Sequence, residues 1–360
     1  MDVISGGDYQ PPSDDQLEEV FSRLFSKPRD TLPKNNIESI KNTPTLADGS
    51  ASGQLAAHLR PGPGRPADPD TRERSPFQLQ QNASPRFVSD LLIRLARESI
   101  SYHDLANRLK IGVGTLKMTV LPFAKQMGLI ELRHDKKDHV QLTGWAISLG
   151  ESTHYMPILL GEAIHLCLAL RWRTNPSMRG SWAYAATLHH LWDRAPLPLV
   201  PGLREHVAAI VRGAGAQAYD LPLDRVAFTA ESVGAALQWL EALNPSVVSG
   251  HRRDRQLRRR TACPDVAVWW AIGELNRVDN WGGAPGTWVG LNDSRRALLA
   301  RTLMLEPTVV AGVLSRAASA SEALPGGACL RYDALRDAVD VVRTVPIGTY
   351  PGVTGQRDNS

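Results

Sequence analysis

Residues 101–143 of this 360-residue chain read SYHDLANRLKIGVGTLKMTVLPFAKQMGLIELRHDKKDHVQLT. Ser101, with Asp104 three residues later, resembles a capping box and predicts the start of a short helix. Its buried face is expected to consist of Leu105, Ala106 and Leu109. Ile111-Gly112 is expected to end this helix, because glycine accepts the left-handed conformation found just after helix ends.

A further helix and a hairpin are predicted downstream. Thr115 is a candidate cap for the helix, Gly128 is expected to end it, and its inner face would be Leu116, Val120, Leu121 and Ala124. Residues 129–133 and 139–142 alternate like strands around a charged tip. Pro122 conflicts with a regular helix, because an interior proline costs roughly 3 kcal/mol. The helix either kinks there or begins at Pro122, and in the second case residues 115–121 become a turn.

Upstream, Ser84 and Pro85 suit the cap and first position of another helix, whose apolar stripe is Val88, Leu91, Leu92 and Leu95. Thr143 is expected to cap one more turn through Trp145, Ile147 and Leu149. Residues 84–150 therefore predict helix, helix, Gly turn, helix and hairpin.

This order resembles the winged helix-turn-helix family. The segment Met127-Gly128-Leu129-Ile130-Glu131, followed by a charged hairpin and Leu142-Thr143, is similar to the end of the recognition helix and the wing in that family. The resemblance covers under a fifth of the chain. It implies a mainly α fold, with a winged helix-turn-helix of three helices plus a β-hairpin. It also implies binding to double-stranded DNA, although winged helices serve as protein-docking modules as well.

The resemblance places the third helix at base edges, where Lys117 can pair with guanine and Thr115 or Thr119 can reach a phosphate or a thymine methyl group. Wing residues are expected to clamp phosphates. A second basic segment, 251–260, holds six Arg, whose forked donors suit phosphate. The candidate DNA-binding residues are Thr115, Lys117, Met118, Thr119, Lys125, Arg133, Lys136, Lys137, Arg252, Arg253, Arg255, Arg258, Arg259 and Arg260. For the Arg segment, a solvated loop or helix is an equally weighted alternative.

Positive charge is concentrated in the winged-helix segment. Residues 86–150 carry 10 Lys and Arg against 6 Asp and Glu, a net charge of +4. Residues 1–85 carry 9 against 12, and residues 151–360 carry 22 against 19. This distribution favours phosphate contact by residues 86–150.

Residues 1–83 are interpreted as a disordered arm, because Pro, Gly, Ser, Asn and Asp dominate their composition. One amphipathic helix is expected at 13–26 after a capping-box spacing. Its apolar face, a candidate partner-binding surface, is Leu17, Val20, Phe21, Leu24 and Phe25. Packing of this helix on the chain's own C-terminal domain is an equally weighted alternative.

Residues 151–345 are expected to form an all-α domain, followed by a tail at 346–360. Candidate helices span 157–172, 181–194, 202–219, 232–243, 264–278, 293–303, 307–317 and 332–344. Strand signals are weak here. Eight of the nine Trp lie in this region, and a packed helical core explains most of them.

Several functional classes lack support. No apolar run is long enough for a membrane helix, and the N-terminus lacks a secretory pattern. Cys167, Cys263 and Cys329 fit no zinc spacing, so buried thiols and a cytoplasmic location are expected. Glu162 and His165 have a di-iron spacing without its other ligands, and His189-His190 are expected on different helix faces. No P-loop, dinucleotide fingerprint or Ser elbow occurs, so we expect neither an enzyme nor a cofactor.

Three functions remain in competition. The first is a DNA-binding protein, either a regulator or an accessory subunit of a DNA-processing or defence assembly, whose helical domain forms a homodimer or recruits a protein partner. The overall architecture resembles accessory proteins of bacterial anti-phage and DNA-modification gene clusters, and the long arm favours the accessory version. The second is a protein-interaction scaffold whose winged helix does not contact DNA. The third is a metal-dependent enzyme.

Overall fold

A computed structural model describes residues 49–60, 77–79, 84–95, 99–133, 138–250, 254–279, 281 and 285–350. Over these residues the protein is mainly helical, with three small antiparallel sheets of three strands each. The amphipathic helix expected at 13–26, with Leu17, Val20, Phe21, Leu24 and Phe25, lies outside the described residues.

The first part of the described chain holds short helices and one sheet. Its elements are α1 Gly49–His58, α2 Pro85–Leu95, β1 Ile100–Ser101, α3 Tyr102–Arg108, α4 Val113–Thr115, a π-helical turn Leu116–Val120, α5 Leu121–Gln126, β2 Ile130–Leu132, β3 His139–Leu142 and α6 Gly144–Tyr155.

The second part consists of longer helices with two further sheets, so the expectation of an all-α domain at 151–345 is wrong in this respect. Its elements are α7 Leu159–Thr174, α8 Arg179–Arg194, β4 Leu197–Pro198, α9 Leu203–Ala218, a 3-10 turn Leu223–Arg225, α10 Ala230–Glu241, β5 Val248–Ser249, β6 Gln256–Leu257, α11 Asp265–Val278, β7 Val289–Gly290, α12 Asp293–Thr302, a 3-10 turn Pro307–Val309, α13 Val310–Glu322, β8 Leu330–Asp333 and β9 Ala338–Val341.

The interpretation of residues 1–83 as a disordered arm is wrong for α1 and for 77–79. Helix α1 packs on α9, and Ser52 Oγ donates to the Ile210 carbonyl at 3.1 Å. The Trp182 indole N–H donates to the Leu59 carbonyl at 2.7 Å, and the ring of Phe77 is fully buried against that of Trp182. Apolar burial by the C-terminal helices outweighs the local composition that suggested disorder.

The predicted caps of the small helices are largely confirmed. The Phe87 N–H donates to Ser84 Oγ at 3.3 Å, and the Asp104 N–H donates to Ser101 Oγ at 3.1 Å. Thr143 accepts from the Ala146 N–H and begins α6, which is twelve residues long rather than one turn. Strand β1 was not predicted. It pairs with β3, so that the hairpin becomes a sheet of order β1-β3-β2.

Two details of the expected turns are wrong. Lys110, not Gly112, takes the left-handed conformation after α3, with φ of 54°. The Ile111 N–H reaches the Ala106 carbonyl, which completes a Schellman motif whose left-handed residue lies two positions before the expected one. Gly112 is instead extended and precedes α4, and Thr115 is inside the helical run rather than its cap. Gly128, with φ of 64°, ends α5 as predicted.

Seven of the eight helices predicted for residues 151–345 are confirmed, with ends shifted by a few residues. The eighth, at 332–344, is wrong, because β8 and β9 form a hairpin there. Asp333 Oδ1 accepts backbone N–H groups of Leu335 and Arg336, and Asp337 is left-handed with φ of 46°. These local bonds favour a tight turn over a helix.

Tryptophan burial follows the sequence expectation. Seven of the eight Trp residues after position 150 are buried, the exception being Trp288. Several indole N–H groups donate to carbonyls of distant segments, as Trp192 does to Leu305 and Trp269 to Ala317. Cys167, Cys263 and Cys329 are buried free thiols, also as expected.

A charged pair lies in the core of the helical body, the part of the chain that holds α7 to α13. The Arg260 guanidinium donates to both carboxylate oxygens of Glu162, at 2.5 and 3.0 Å, and both side chains are at most 1% exposed. Arg260 also donates to the Leu303 carbonyl, and Glu162 accepts the Asn244 N–H. The pair therefore joins α7 to the ends of α10 and α12.

His165, one turn from Glu162 on α7, is fully buried and bonded at both ring nitrogens. Its Nε2 donates to the Thr302 carbonyl at 2.7 Å, so Nδ1 is the acceptor for the Tyr184 hydroxyl at 2.8 Å. Burial lowers the pKa of His165 to about 4. Glu162 and His165 are thus structural residues of the core.

We predict that Glu162→Gln lowers the free energy of unfolding by about 3 kcal/mol or more, since it leaves the buried Arg260 charge uncompensated. The measurement is urea unfolding followed by circular dichroism. Glu241→Gln, which breaks the exposed pair with Arg255, is the matched control and is expected to cost less than about 1 kcal/mol. Equal losses in the two variants would contradict a central role for the buried pair.

Stability is also predicted to fall as pH decreases from about 6.5 towards 4. Because His165 has a lower pKa in the folded protein than in the unfolded chain, the unfolded chain binds more protons in this window. The contribution of the neutral His165 ring to the free energy of unfolding is complete above pH 6.5 and is lost as pH approaches 4. His165→Gln is expected to reduce this pH dependence in thermal unfolding, and the remainder comes from His189 and His190, whose pKa values burial also lowers to about 3. His103→Gln, at an exposed position, is the control substitution.

Candidate nucleic-acid interface

The helical run from α4 through α5 presents one exposed stripe. Thr115, Met118, Pro122 and Lys125 recur at spacings of three and four residues and are all exposed. Met118 is 56% exposed, which is unusual for a large apolar side chain. Of the other candidates on this run, Lys117 is exposed and Thr119 is half-buried, with its hydroxyl bonded to the Thr115 carbonyl at 2.6 Å.

The opposite face of this run is buried. Leu116, Val120, Phe123, Ala124 and Met127 belong to the hydrophobic core shared with the helical body. The ring of Phe123 stacks on that of Trp239 in α10, with centroids 6.1 Å apart. The run is therefore fixed on its inner side while its outer stripe faces solvent.

The π-helical turn resolves the conflict that Pro122 creates. Residues Leu116–Val120 wind more widely than an α-helix, and the Leu121 N–H reaches back five residues to the Leu116 carbonyl. Pro122 then occupies the start of α5, where its missing N–H is tolerated. The helical run thus neither ends at Pro122 nor becomes a turn before it, and Thr115 to Lys125 remain on one continuous surface.

Lys117 is held beside the base of the hairpin. Its ammonium lies 4.9 Å from the centroid of the Tyr102 ring and 3.7 Å from Asp138 Oδ1. The Tyr102 N–H donates to the Asp138 carbonyl at 2.8 Å, so α3, the helical run and the hairpin meet at this point. Burial, followed by the Asp138 charge, raises the pKa of Tyr102. Sequence reasoning missed Tyr102 and Asp138, because the two-residue strand β1 that brings them together carries almost no pattern.

The hairpin is supported on two sides. Strand β3 pairs with both β1 and β2, and the Thr143 N–H donates to the Leu129 carbonyl at 3.0 Å. Arg133 follows β2 and is half-buried. Lys136 and Lys137 lie outside the described residues. A third strand matters because an isolated two-stranded hairpin is only marginally stable.

The second basic segment does not behave as one surface. Arg260 was predicted to contact DNA, and this is wrong, because it is buried in the pair with Glu162. Arg259 stacks on Trp192 at 4.4 Å and bonds Glu306, and Arg255 bonds Glu241. Arg258 is exposed. Arg252 and Arg253 lie outside the described residues. Three of these arginines, at 255, 259 and 260, bind carboxylates of this chain, and Arg259 also stacks on an aromatic ring. A count of charges in the sequence does not reveal these contacts.

Among the described residues, no group of three His, Cys, Asp or Glu side chains is placed to hold a metal ion. None of the described helices combines the length and the apolar character needed to cross a membrane. In comparisons with known proteins, no family model, no curated protein and no solved structure matches this chain.

Gly128 joins the end of the helical run to the body. A Cβ at this position would lie 3.2 Å from Arg171 Nη1. That guanidinium stacks over Trp145 at 5.1 Å and its Nη1 donates to the Gln126 carbonyl. The left-handed backbone and the close guanidinium both favour glycine at this position, because it has no Cβ.

We predict that Gly128→Ala lowers the free energy of unfolding by about 1–2 kcal/mol, because alanine strains the left-handed backbone and displaces Arg171. Gly144→Ala is the matched control, since a Cβ there has open space in the first turn of α6, and it is expected to be neutral or slightly stabilising. Chemical unfolding of both variants measures the difference. A neutral Gly128→Ala would show that this junction tolerates a side chain.

Proposed function

We propose that this protein binds double-stranded DNA through a winged helix-turn-helix formed by residues 84–150, with the α4–α5 run as recognition helix and β2–β3 as wing. The observation that carries the proposal is the exposed stripe of Thr115, Met118, Pro122 and Lys125 on a run whose opposite face is buried. A recognition helix needs this division, since one face must enter the major groove while the other holds the helix in its domain.

The chemistry of the stripe suits duplex DNA. Lys117 and Lys125 supply charges for phosphates or guanine, Thr115 supplies a hydroxyl, and Met118 supplies an apolar surface for a thymine methyl group. The interaction of Lys117 with Tyr102 and Asp138 is exposed and weak, so it directs the side chain without preventing contact with DNA.

The π-helical turn supports the same assignment. Such turns are rare, occur mostly as single turns inside α-helices and are frequently found at functional sites. Here the turn contains Lys117 and Met118 and allows Pro122 to lie within the stripe. A regular helix with a different residue at 122 would be easier to form. We therefore infer that the orientation which the π-helical turn gives to Met118 and Lys117 serves a function.

Within this proposal the protein is a regulator or an accessory subunit of a DNA-processing or defence assembly. The helical body then provides a surface for homodimerisation or for a protein partner. A protein-docking role without DNA is the alternative, and exposed apolar side chains at Met118 and Leu132 are the observation that favours it.

We predict that the wild-type protein shifts duplex DNA in a gel assay and that its affinity falls steeply with salt, because bound lysines release counterions from phosphates. Lys117→Glu combined with Lys125→Glu is expected to weaken binding at least tenfold. If both lysines contact phosphates, the double variant should also reduce the slope of log affinity against log salt by about 2.

Arg204→Glu is the control charge reversal, with half the charge change of the double variant, since Arg204 is exposed in the first turn of α9 and is not part of the stripe. It is expected to leave DNA binding nearly unchanged. Equal affinity of the wild type and the double lysine variant, or no binding by the wild type at low salt, would reject DNA recognition by this surface and favour protein docking.

A further inference from the structure

Two adjoining cavities lie between α1, α8 and α12, and neither lining includes a residue of the exposed stripe. The smaller has a volume of about 80 Å³ and the larger about 450 Å³. His58, His189 and Arg301 line both. The larger volume lies within the range of pockets that hold small molecules.

His189 forms part of the wall between the two cavities. It is 6% exposed, and its ring has no hydrogen-bond partner among the residues that the structure describes. Burial, followed by the charges of Arg301 and Arg173, lowers the pKa of His189 to about 3. At neutral pH the ring is therefore uncharged and offers one N–H donor and one acceptor nitrogen. Because the ring borders both cavities, these atoms are open to a molecule that enters them.

The neighbouring residue is also largely buried. His190 is 3% exposed, and its Nε2 is buried without a hydrogen-bond partner in the described part of the chain. Its Nδ1 lies 3.1 Å from Arg194 Nη1. Both histidines line the smaller cavity, and of the two only His189 also lines the larger one.

Two guanidinium groups border the larger cavity. Arg301 donates through Nε and Nη2 to Asp193 Oδ1, at 3.1 and 2.9 Å, and Arg173 donates through Nη1 to Asp279. Each guanidinium has five N–H donors, so these bonds orient the groups and leave other donors without an acceptor among the described residues. Asp293 also lines the larger cavity, and Asp193 and Asp279 compensate the two guanidinium charges, so the attraction for an anion comes from the remaining N–H donors rather than from net charge.

The first turn of α12 also lines the larger cavity. Asn292 caps this helix by accepting the Arg295 N–H, which leaves the N–H groups of Asp293 and Ser294 without an intrahelical acceptor. The positive end of the helix dipole and the Ser294 hydroxyl therefore add to the attraction for an anion. Ala297 and Leu298, on the same helix, give the cavity an apolar side.

We propose that this cavity binds a small organic molecule carrying a phosphate group. Arg301, Arg173 and the first turn of α12 at Ser294 hold the phosphate, His189 donates its N–H to it, and Ala297 with Leu298 contacts the organic part. Donors from three elements match the several acceptor oxygens of a phosphate, whereas a single-atom anion would leave most of the volume unfilled. The proposal is independent of DNA binding and would make the helical body a ligand-sensing unit.

Isothermal titration calorimetry on the full chain tests this, with inorganic phosphate as the minimal probe and with adenosine 5′-monophosphate and adenosine as a pair differing only in the phosphate. Inorganic phosphate is expected to bind saturably at one site and to raise the melting temperature at constant ionic strength. The monophosphate is expected to compete with inorganic phosphate, and adenosine is not.

Ser294→Glu places a negative charge in the cavity at a helix position that favours acidic residues, so the variant should fold. It is expected to weaken phosphate binding at least tenfold, as is Arg301→Gln. Ser315→Glu adds the same charge at an exposed position on α13, outside the cavity lining, and should leave binding unchanged.

Absence of saturable phosphate binding by the wild type would overturn the proposal. Equal binding by Ser294→Glu and the wild type, or equal loss in Ser315→Glu, would overturn it as well. Because the readout is phosphate binding rather than a gel shift, these outcomes stay distinct from a failure of the DNA-binding proposal.

Discussion

The ion pair between Glu162 and Arg260 is the constraint on which the helical body depends. Two opposite charges lie in the core, and their desolvation is tolerated because each group also bonds the backbone of a distant segment. The backbone of Arg260 adds further bonds, since its N–H donates to Met304 and its carbonyl accepts from Glu306. These contacts determine how α7, α10 and α12 meet, and apolar packing alone would define that geometry less sharply.

The body in turn positions the exposed stripe. Phe123 stacks on Trp239 of α10, and Arg171 of α7 reaches across to the end of α5. Side chains from 84–150 and from the later helices share one continuous core. A ligand in the cavity beside α8 and α12 would therefore act on a body that is packed directly against the proposed recognition helix. This arrangement offers a physical route by which occupancy of one site influences the other.

Local signals predicted much of the fold. Ser84, Ser101 and Thr143 cap helices through short side-chain bonds, and Gly128 ends α5, because these effects act within a few residues. Amphipathic periodicity located most helices of the body. The same reasoning failed at 332–344, where the Asp333 turn overrides helical periodicity, and at α1, where burial against α9 overrides a polar composition. The exposed stripe was anticipated largely as it is found, but its continuity through Pro122 was not.

The sequence by itself determined the caps, the helical spacing and the concentration of positive charge in residues 86–150, because each depends on neighbouring residues or on composition. Only the tertiary structure decided the roles of the arginines at 255, 259 and 260, since the carboxylates and rings that engage them lie far away along the chain. It also decided that His58, His189, Arg173 and Arg301 border one cavity. Such groupings arise from packing of distant helices, and no local pattern encodes them.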